Sequence, residues 1–329
     1  MRYKTVFVLG AGFSYHAGIP LVQQLRTEIL NCIDRIKDRD LIINPFFLPM
    51  LPEYPRGKFW AGFEFVDRGQ GIEELLVDLR GAVDKCPVAL QALNILRRVC
   101  TRLLWEKHHG LRFRLPDIYS GFAHRVASSI GVISFNWDLV CETALETIGR
   151  AFGYAPDSRI PIIKPHGSIN WTNHLQPKPG RLIENPPGMC PIADGMTTAW
   201  DQGAPFDDPL LPYDADDLRH MIFPGDPEMA SLDGEEARKD AERLWEAVAA
   251  LILRAEEVVF IGYSLPAYDQ FAKELFQCAC HDKKIIVCNP SPSVIEAFEQ
   301  AFSGENIQSM PLKFEESVFS QSPTHVLTA

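Results

Sequence analysis

The feature that most constrains the fold is an alternation of short apolar runs with amphipathic helical segments. Runs of five residues rich in Val, Ile and Phe lie at 5–9, 131–135, 160–164, 257–261 and 284–288. Helical spacing of apolar residues follows at 21–36, about 138–149, about 268–280 and about 293–302. Uninterrupted apolar runs are typical of strands buried on both faces, and strands that alternate with helices form parallel sheets. The sequence therefore predicts an α/β fold with a doubly wound, Rossmann-like parallel sheet.

Two stretches interrupt this alternation and are predicted to be insertions. Residues 40–128 have mostly helical patterning, whereas residues 156–227 hold 13 of the 25 prolines, which favours loops and turns. We therefore expect one α/β domain over residues 1–329, with a helical insertion at about 40–128 and a Pro-rich loop insertion at about 173–230.

Charge and composition exclude several classes of protein. The formal net charge is −11, which works against binding to a nucleic-acid backbone. Apolar runs are too short to span a membrane, and the apolar start leads into a glycine turn rather than a cleavage site, so we expect a cytoplasmic protein. The eight cysteines form no pair of C-x-x-C motifs, and Cys278 and Cys280 point to different sides of a predicted helix, so we expect no metal site.

The first predicted strand ends in a glycine turn, Gly10-Ala11-Gly12-Phe13-Ser14. Ligands of doubly wound sheets bind beyond the carboxyl ends of the strands, and a helix that starts at such a turn can offer N–H groups to a phosphate. The turn is neither G-x-G-x-x-G, because Tyr15 takes the third glycine position, nor a Walker A loop. A tight turn that only eases strand-to-helix packing explains these glycines equally well.

Small or polar residues also end the other predicted strands. Asn136 and Asp138 follow the second run, and either residue can alternatively be explained as the cap of the next helix. His166 lies between Pro165 and Gly167, which hold it out of helix and sheet. Ser264 resembles a hydrolase nucleophile only superficially, because Pro266 replaces the second glycine of that turn.

Taken together, these motifs resemble the sirtuin superfamily in type, spacing and order. The resemblance rests on the glycine turn with Gly18-Ile19-Pro20, on Asn136-Trp137-Asp138, on His166-Gly167, and on the later segments at 261–264 and 288–289. The segments Lys-Pro-His-Gly-Ser-Ile-Asn-Trp at 164–171 and Ile-Gly-Tyr-Ser-Leu-Pro at 261–266 are closest to the bacterial sirtuin-like branch.

The resemblance implies that NAD is bound at the strand ends, as the substrate. Asn136 would contact the nicotinamide ribose and position a water, Asp138 would face the nicotinamide amide, and His166 would hold the ribose hydroxyls or act as general base. The remaining contacts fall into two groups: the phosphates and nearby ribose would be lined by Gly10, Ala11, Gly12, Phe13 and Ser14, and the adenosine half by Gly262, Ser264 and Asn289.

The sequence departs from the deacetylase sirtuins in two places. Leu21-Val22-Gln23 replaces their Asp-Phe-Arg, and the zinc module that supports their acyl-lysine peptide groove is missing. We therefore predict an NAD⁺ glycohydrolase that releases nicotinamide and ADP-ribose, with an NAD-dependent protein deacylase and a non-catalytic nucleotide-binding assembly module as the alternatives.

The branch resemblance also implies a biological role and a form of control. It indicates a gated effector of antiphage defence that acts through abortive infection. Control would come from a homo-oligomer or from a partner ATPase or sensor subunit.

Overall fold

The structure is a computed structural model that describes residues 3–37, 80–81, 100, 103–104, 107–108, 115–126, 130–173, 196–198, 219–221, 235–302 and 306–321. Within those residues the strands are β1 (Tyr3–Leu9), β2 (Ile130–Ser134), β3 (Ile162–Ile163), β4 (Gly167–Asn173), β5 (Met196–Thr198), β6 (Arg219–Met221), β7 (Ala255–Ile261), β8 (Lys284–Cys288) and β9 (Asn306–Met310). The α-helices are α1 (Ala11–Ser14), α2 (Val22–Lys37), α3 (Asp117–Arg125), α4 (Val140–Thr147), α5 (Glu235–Leu253), α6 (Gln270–Ala279) and α7 (Pro292–Ala301).

The main sheet has six parallel strands in the order β3-β2-β1-β7-β8-β9. The chain starts in the middle at β1 and builds outward through β2 and β3, and it then returns to the other side of β1 and builds outward through β7, β8 and β9. The predicted doubly wound α/β fold is confirmed. The strand order reverses between β1 and β7, which makes this the switch point at which doubly wound folds bind ligands.

Helices cover both faces of the sheet, which explains the uninterrupted apolar runs of its central strands. Val6 is fully buried, and Leu251 of α5 approaches Gly131 on the same face. Its neighbour Phe7 points to the opposite face, where its ring packs edge-on against Phe122 of α3, with a centroid separation of 5.2 Å. Adjacent strand residues are therefore both apolar and both buried.

The structure adds elements that the sequence patterns do not predict. The edge strand β9 lacks an apolar run because none of its residues is fully buried. Strand β4 pairs antiparallel with β5 and β6 in a second, three-stranded sheet, and the two short partners lie within the Pro-rich stretch. The predicted strand at 160–164 is reduced to the two residues of β3.

Most of the two predicted insertions lies outside the described residues. Helix α3 is the longest described element between residues 40 and 128, and its Tyr119 and Phe122 are fully buried in the core. The single-domain boundaries, the helical insertion and the Pro-rich loop insertion stay predictions. None of the helices in the described ranges is long and apolar enough to cross a membrane.

Candidate functional site at the strand ends

Parallel pairing brings the carboxyl ends of the central strands to the same level. Leu9 lies opposite Ser134 of β2 and Ile261 of β7, and Ile261 lies opposite Cys288 of β8. The residues that follow these ends therefore meet at one edge of the sheet. Most of the residues singled out from the sequence lie along this edge.

The glycine turn after β1 packs directly on the turn after β7. Gly10 donates its N–H to Ile261 O and Gly12 donates to Gly262 O, both at 3.0 Å. A Cβ atom on Gly10 would lie 2.5 Å from Tyr263 Cα, and one on Gly12 would lie 2.8 Å from Gly262 Cα. Gly262 itself has φ +60°. These glycines are required because two backbone turns touch, so the packing explanation of the glycine turn holds, and we call this contact the glycine crossing.

The short helix α1 offers a ligand fewer N–H groups than a helix N-terminus was expected to provide. The N–H of Gly12 is used in the glycine crossing, and the N–H of Phe13 donates to Gly10 O at 2.9 Å. The Phe13 ring is buried among the rings of Tyr119, Phe122 and Phe314, and its carbonyl accepts a hydrogen bond from Tyr119 Oη at 2.8 Å. Phe13 therefore faces the core, and its predicted ligand contact stays a prediction.

A chain of buried hydrogen bonds connects the first two strand ends. Asn136 Nδ2 donates to Gly10 O at 2.9 Å and to Ser14 Oγ at 3.0 Å. Ser14 Oγ in turn donates to Asp138 Oδ1 at 3.0 Å. Both amide hydrogens of Asn136 are thus used within the protein, and its orientation is fixed. The carbonyl oxygen Oδ1 is the atom through which Asn136 can act on a ligand.

Asp138 is buried and serves two purposes in the structure. Its Oδ1 also accepts the N–H of Val140, the first residue of α4, at 2.9 Å, but the cap position of this helix is occupied by Leu139 and not by Asn136 or Asp138. Burial raises the pKa of Asp138, and the nearby Lys164 ammonium partly opposes that rise. Ionisation of this carboxyl group is therefore unfavourable in its buried position.

A fully buried ion pair supports this region. Lys164 Nζ donates to the backbone carbonyl of Asp138 and to Glu142 Oε1, the latter at 2.9 Å. Both side chains have 0 % exposure, and Tyr154 Oη also donates to Glu142 Oε1 at 3.2 Å. The pair connects the end of β3 to α4 and holds the backbone at Asp138.

His166 lies at the same edge, just before β4. Its ring packs edge-on against Phe135, the residue before Asn136, with centroids 4.9 Å apart. Its backbone carbonyl accepts a hydrogen bond from Trp137 Nε1 at 2.8 Å. Its Nε2 lies 3.1 Å from Asp269 Oδ2, and both side chains are buried. His166 is thus placed next to the Asn136 segment, as the strand-end hypothesis requires.

The residues after β7 and β8 lie at this edge with different exposure. Ser264 is exposed, and Gly262 takes part in the glycine crossing. Asn289 is buried, with Nδ2 donating to Tyr263 O at 3.2 Å and Oδ1 accepting from Ser291 N at 3.0 Å. Asn289 therefore ties the two loops together, and its contact with an adenosine stays a prediction.

Several charged and polar residues of this region are not predicted by the sequence patterns. Asp269, Lys164 and Glu142 are buried around the predicted site, but each lies in a segment whose pattern has an ordinary structural explanation. Asp269 precedes a helix, which is a common place for a cap, and it does accept the N–H of Ala272 at 3.4 Å. The sequence carries one signal of a buried charged group, which is Lys164 as the last residue of the apolar run at 160–164. Within the described ranges, no group of three or more His, Cys, Asp or Glu residues is arranged to hold a metal ion.

No protein-family profile matches the chain, and no curated protein sequence is detectably similar to it. Its fold, however, is similar to solved structures. A mutant Sir2 homologue in complex with 2′-O-acetyl-ADP-ribose aligns over 100 % of this chain and 94 % of its own, with a TM-score of 0.51 and 15 % identity. The chain has the Sir2 fold. Sir2Tm bound to a propionylated peptide aligns less well, with a TM-score of 0.43, 17 % identity, and coverage of 96 % of this chain and 91 % of its own.

The parallel sheet of this fold places several of the predicted residues near one another. The sheet has a switch point at β1 and β7, where the glycine crossing lies, and Asn136 and Asp138 follow the neighbouring β2. His166 follows β3, on the same side of the switch point. The predicted site residues come from separate segments that the fold brings to one edge.

Proposed function

We propose that this chain is an NAD⁺ glycohydrolase, which cleaves NAD⁺ to nicotinamide and ADP-ribose. The supporting observation is that Asn136 and His166 come together with the glycine crossing at the switch point of a Sir2 fold. The Sir2 homologue of that comparison is bound to an ADP-ribose derivative, and ADP-ribose is the part of NAD⁺ that remains when nicotinamide leaves.

The site has the polar groups that this reaction needs. The nicotinamide of NAD⁺ is cationic and leaves as a neutral base, so the departure requires no strong general acid. Asn136 Oδ1 is the free end of an amide fixed by two hydrogen bonds, and it accepts a hydrogen bond from the attacking water. A rigidly held acceptor loses little freedom when it positions that water.

Asp138 and His166 take the other two tasks. The buried carboxyl group of Asp138 is held by Ser14 and Val140. In the proposed complex it would face the carboxamide of the nicotinamide ring. His166 contacts the ribose hydroxyls or takes a proton from the water. Its Nδ1 is buried and has no hydrogen-bond partner within the described residues. A buried unpaired polar atom is destabilising by about 1–3 kcal/mol, so a ligand group that pairs with it gains binding energy.

An NAD-dependent deacylase is the second candidate. The observation in its favour is the acetyl group on the ADP-ribose held by the Sir2 homologue. The observation against it is Leu21-Val22-Gln23, which lacks the charged residues of the deacetylase motif. The two functions differ in one requirement, because a deacylase needs an acyl-lysine peptide for turnover and a glycohydrolase does not.

Product analysis tests the proposal. The purified full chain is incubated with NAD⁺ with and without an acetylated lysine peptide, over a dilution series, and nicotinamide, ADP-ribose and acetyl-ADP-ribose are quantified. We expect nicotinamide and ADP-ribose in equal amounts without peptide. Asn136→Ala and His166→Ala should each reduce turnover by about 10²-fold or more. The exposed controls Asn306→Ala and His281→Ala should remain within about twofold of the unmodified protein.

Three results would contradict the proposal. Turnover that occurs only with peptide supports the deacylase. Turnover unchanged in both site variants removes the catalytic assignment. No loss of NAD⁺ at any protein concentration, together with no loss in cells that express the chain, supports a non-catalytic assembly module.

Gating completes the proposal, because unrestrained loss of NAD⁺ would kill the cell that makes the enzyme. We propose an effector of antiphage defence in the cytoplasm, controlled by homo-oligomer formation or by a partner ATPase or sensor subunit. Specific activity that rises with protein concentration indicates self-assembly. A monomer that is equally active at every concentration without a partner contradicts gating.

A further inference from the structure

A buried carboxylate lies against the imidazole of His166. Asp269 Oδ2 is 3.1 Å from His166 Nε2, and the exposed fractions of the two side chains are 0 % and 4 %. Asp269 is the acidic residue within 4 Å of this ring among the described residues. Neither the resemblance nor the proposed reaction assigns it a role.

The loop after β7 fixes the position of this carboxylate. Leu265 has φ +51°, in the left-handed region, and Asp269 donates its N–H to Pro266 O at 3.1 Å. Oδ1 of Asp269 accepts the N–H of Ala272 in the first turn of α6. Oδ1 is therefore anchored to the helix, while Oδ2 lies 3.1 Å from His166 Nε2 without a hydrogen bond between them. Capping of α6 uses only Oδ1, so the cap does not explain the position of Oδ2.

The imidazole is held on its other sides by aromatic rings. Phe135 packs edge-on against it, and the Trp245 ring centroid lies 6.1 Å away. Among the described residues, Nδ1, Nε2 and Asp269 Oδ2 are all buried without a hydrogen-bond partner, so the 3.1 Å contact between Nε2 and Oδ2 is electrostatic, and Nδ1 is the ring nitrogen outside that contact. A carboxylate next to Nε2 stabilises a proton on that nitrogen and leaves Nδ1 as an acceptor.

We propose that Asp269 is a positioning residue that keeps the proton of His166 on Nε2, so that Nδ1 receives a proton from the attacking water. This inference rests on the proposed NAD⁺ hydrolysis. The water oxygen bonds to the ribose carbon as the bond to nicotinamide breaks and its electron pair leaves with the ring. The water proton moves to His166 Nδ1, the imidazolium is paired with Asp269, and the proton then passes to solvent.

Asp269→Asn tests the inference because asparagine keeps an oxygen for the cap and removes the charge. A matched control is Asp282→Asn, in an exposed pair where His281 Nε2 lies 3.4 Å from Asp282 Oδ2. We expect Asp269→Asn to lower kcat by between about 10-fold and 10⁴-fold, with KM for NAD⁺ within about threefold. Asp282→Asn should leave both constants within about twofold.

Nitrogen-15 NMR of the His166 ring shows which ring nitrogen carries the proton, and this readout does not depend on turnover. The resonance is identified as the one lost in His166→Gln. Removing the carboxylate removes the group that favours a proton on Nε2, so the fraction of rings protonated on Nε2 should fall in Asp269→Asn and stay unchanged in Asp282→Asn. Asp269→Ser, which keeps a cap oxygen but is too short to reach the ring, should lower kcat as Asp269→Asn does.

The outcomes separate this inference from the proposed function. Unchanged kcat and an unchanged fraction of His166 protonated on Nε2 in Asp269→Asn overturn the inference even if the protein hydrolyses NAD⁺. An unmodified protein that does not consume NAD⁺, but in which protonation of His166 on Nε2 depends on Asp269, supports the pairing and contradicts the hydrolysis. A fall in kcat for Asp269→Asn that Asp269→Ser does not share also overturns it, because loss of the carboxylate is then insufficient.

Discussion

Substitution of Gly262 by alanine tests whether the glycine crossing holds the two halves of the sheet together. The new Cβ would lie 2.4 Å from Phe13 N and 2.5 Å from Gly12 Cα. Both are backbone atoms, so no side-chain rotation can relieve the overlap. The turns must move apart, and the hydrogen bond from Gly12 N to Gly262 O must lengthen or break.

The magnitude follows from three contributions and one matched control. Alanine at φ +60° loses about 1 kcal/mol, overpacking against backbone adds about 1–3 kcal/mol, and the lost hydrogen bond adds about 1 kcal/mol. Gly149 has φ +70° but nothing within 4 Å of a new Cβ. We therefore expect Gly262→Ala to lower the free energy of unfolding by about 3–5 kcal/mol and Gly149→Ala by about 1 kcal/mol.

Urea unfolding followed by circular dichroism and by tryptophan fluorescence measures both changes. Coincident transitions from the two probes allow the midpoints to be compared as free energies. Equal destabilisation by the two variants would refute the reasoning, because it would mean that only the backbone angle matters and that the turns do not press on each other.

Three further predictions concern the buried polar groups. Lys164→Met leaves Glu142 buried without its cation, so unfolding by urea should show a loss of about 3–5 kcal/mol, partly restored by adding Glu142→Gln. Since burial raises the pKa of Asp138, folding is disfavoured as pH rises through the range in which its carboxyl group ionises. Asp138→Asn should therefore gain stability relative to the unmodified protein at pH 7 but not near pH 3, as measured by unfolding at both pH values, while losing activity. Tyr119→Phe removes the hydroxyl that bonds Phe13 O and Ala17 N, and thermal unfolding should show a loss of about 1–3 kcal/mol.

The central sheet could be predicted from the sequence because its strands are buried on both faces. In β7, the residues Val258 to Ile261 are all fully buried, so neighbouring positions are both apolar and the run stands out. Edge strand β9 has no such signal, since its Asn306 is exposed and the remaining residues are only half-buried or exposed. Strands β5 and β6 have three residues each, too few for a pattern to develop.

The candidate site could be predicted only where its residues end strands. Gly10 and Asn136 follow apolar runs directly, so the sheet topology implies that they are neighbours. Asp269 belongs to a loop that the sequence does not connect to His166, and the pairing depends on how the backbone turns at Leu265. Contacts between distant segments are decided by the folded chain, and single-residue patterns carry no information about them.

The packing role of the glycine turn and its predicted role in the ligand site depend on the same contacts. Asn136 Nδ2 bonds both Gly10 O and Ser14 Oγ, and Gly10 and Gly12 are fixed by their contacts with β7 and its turn. Any shift of the glycine crossing therefore moves the acceptors that orient the Asn136 amide. Gly262→Ala should then lower turnover by more than the fraction of unfolded molecules accounts for. Gly149→Ala should lower turnover only in proportion to the fraction unfolded. Comparing the residual activities of the two variants at equal fractions folded decides whether the glycines serve the site as well as the packing.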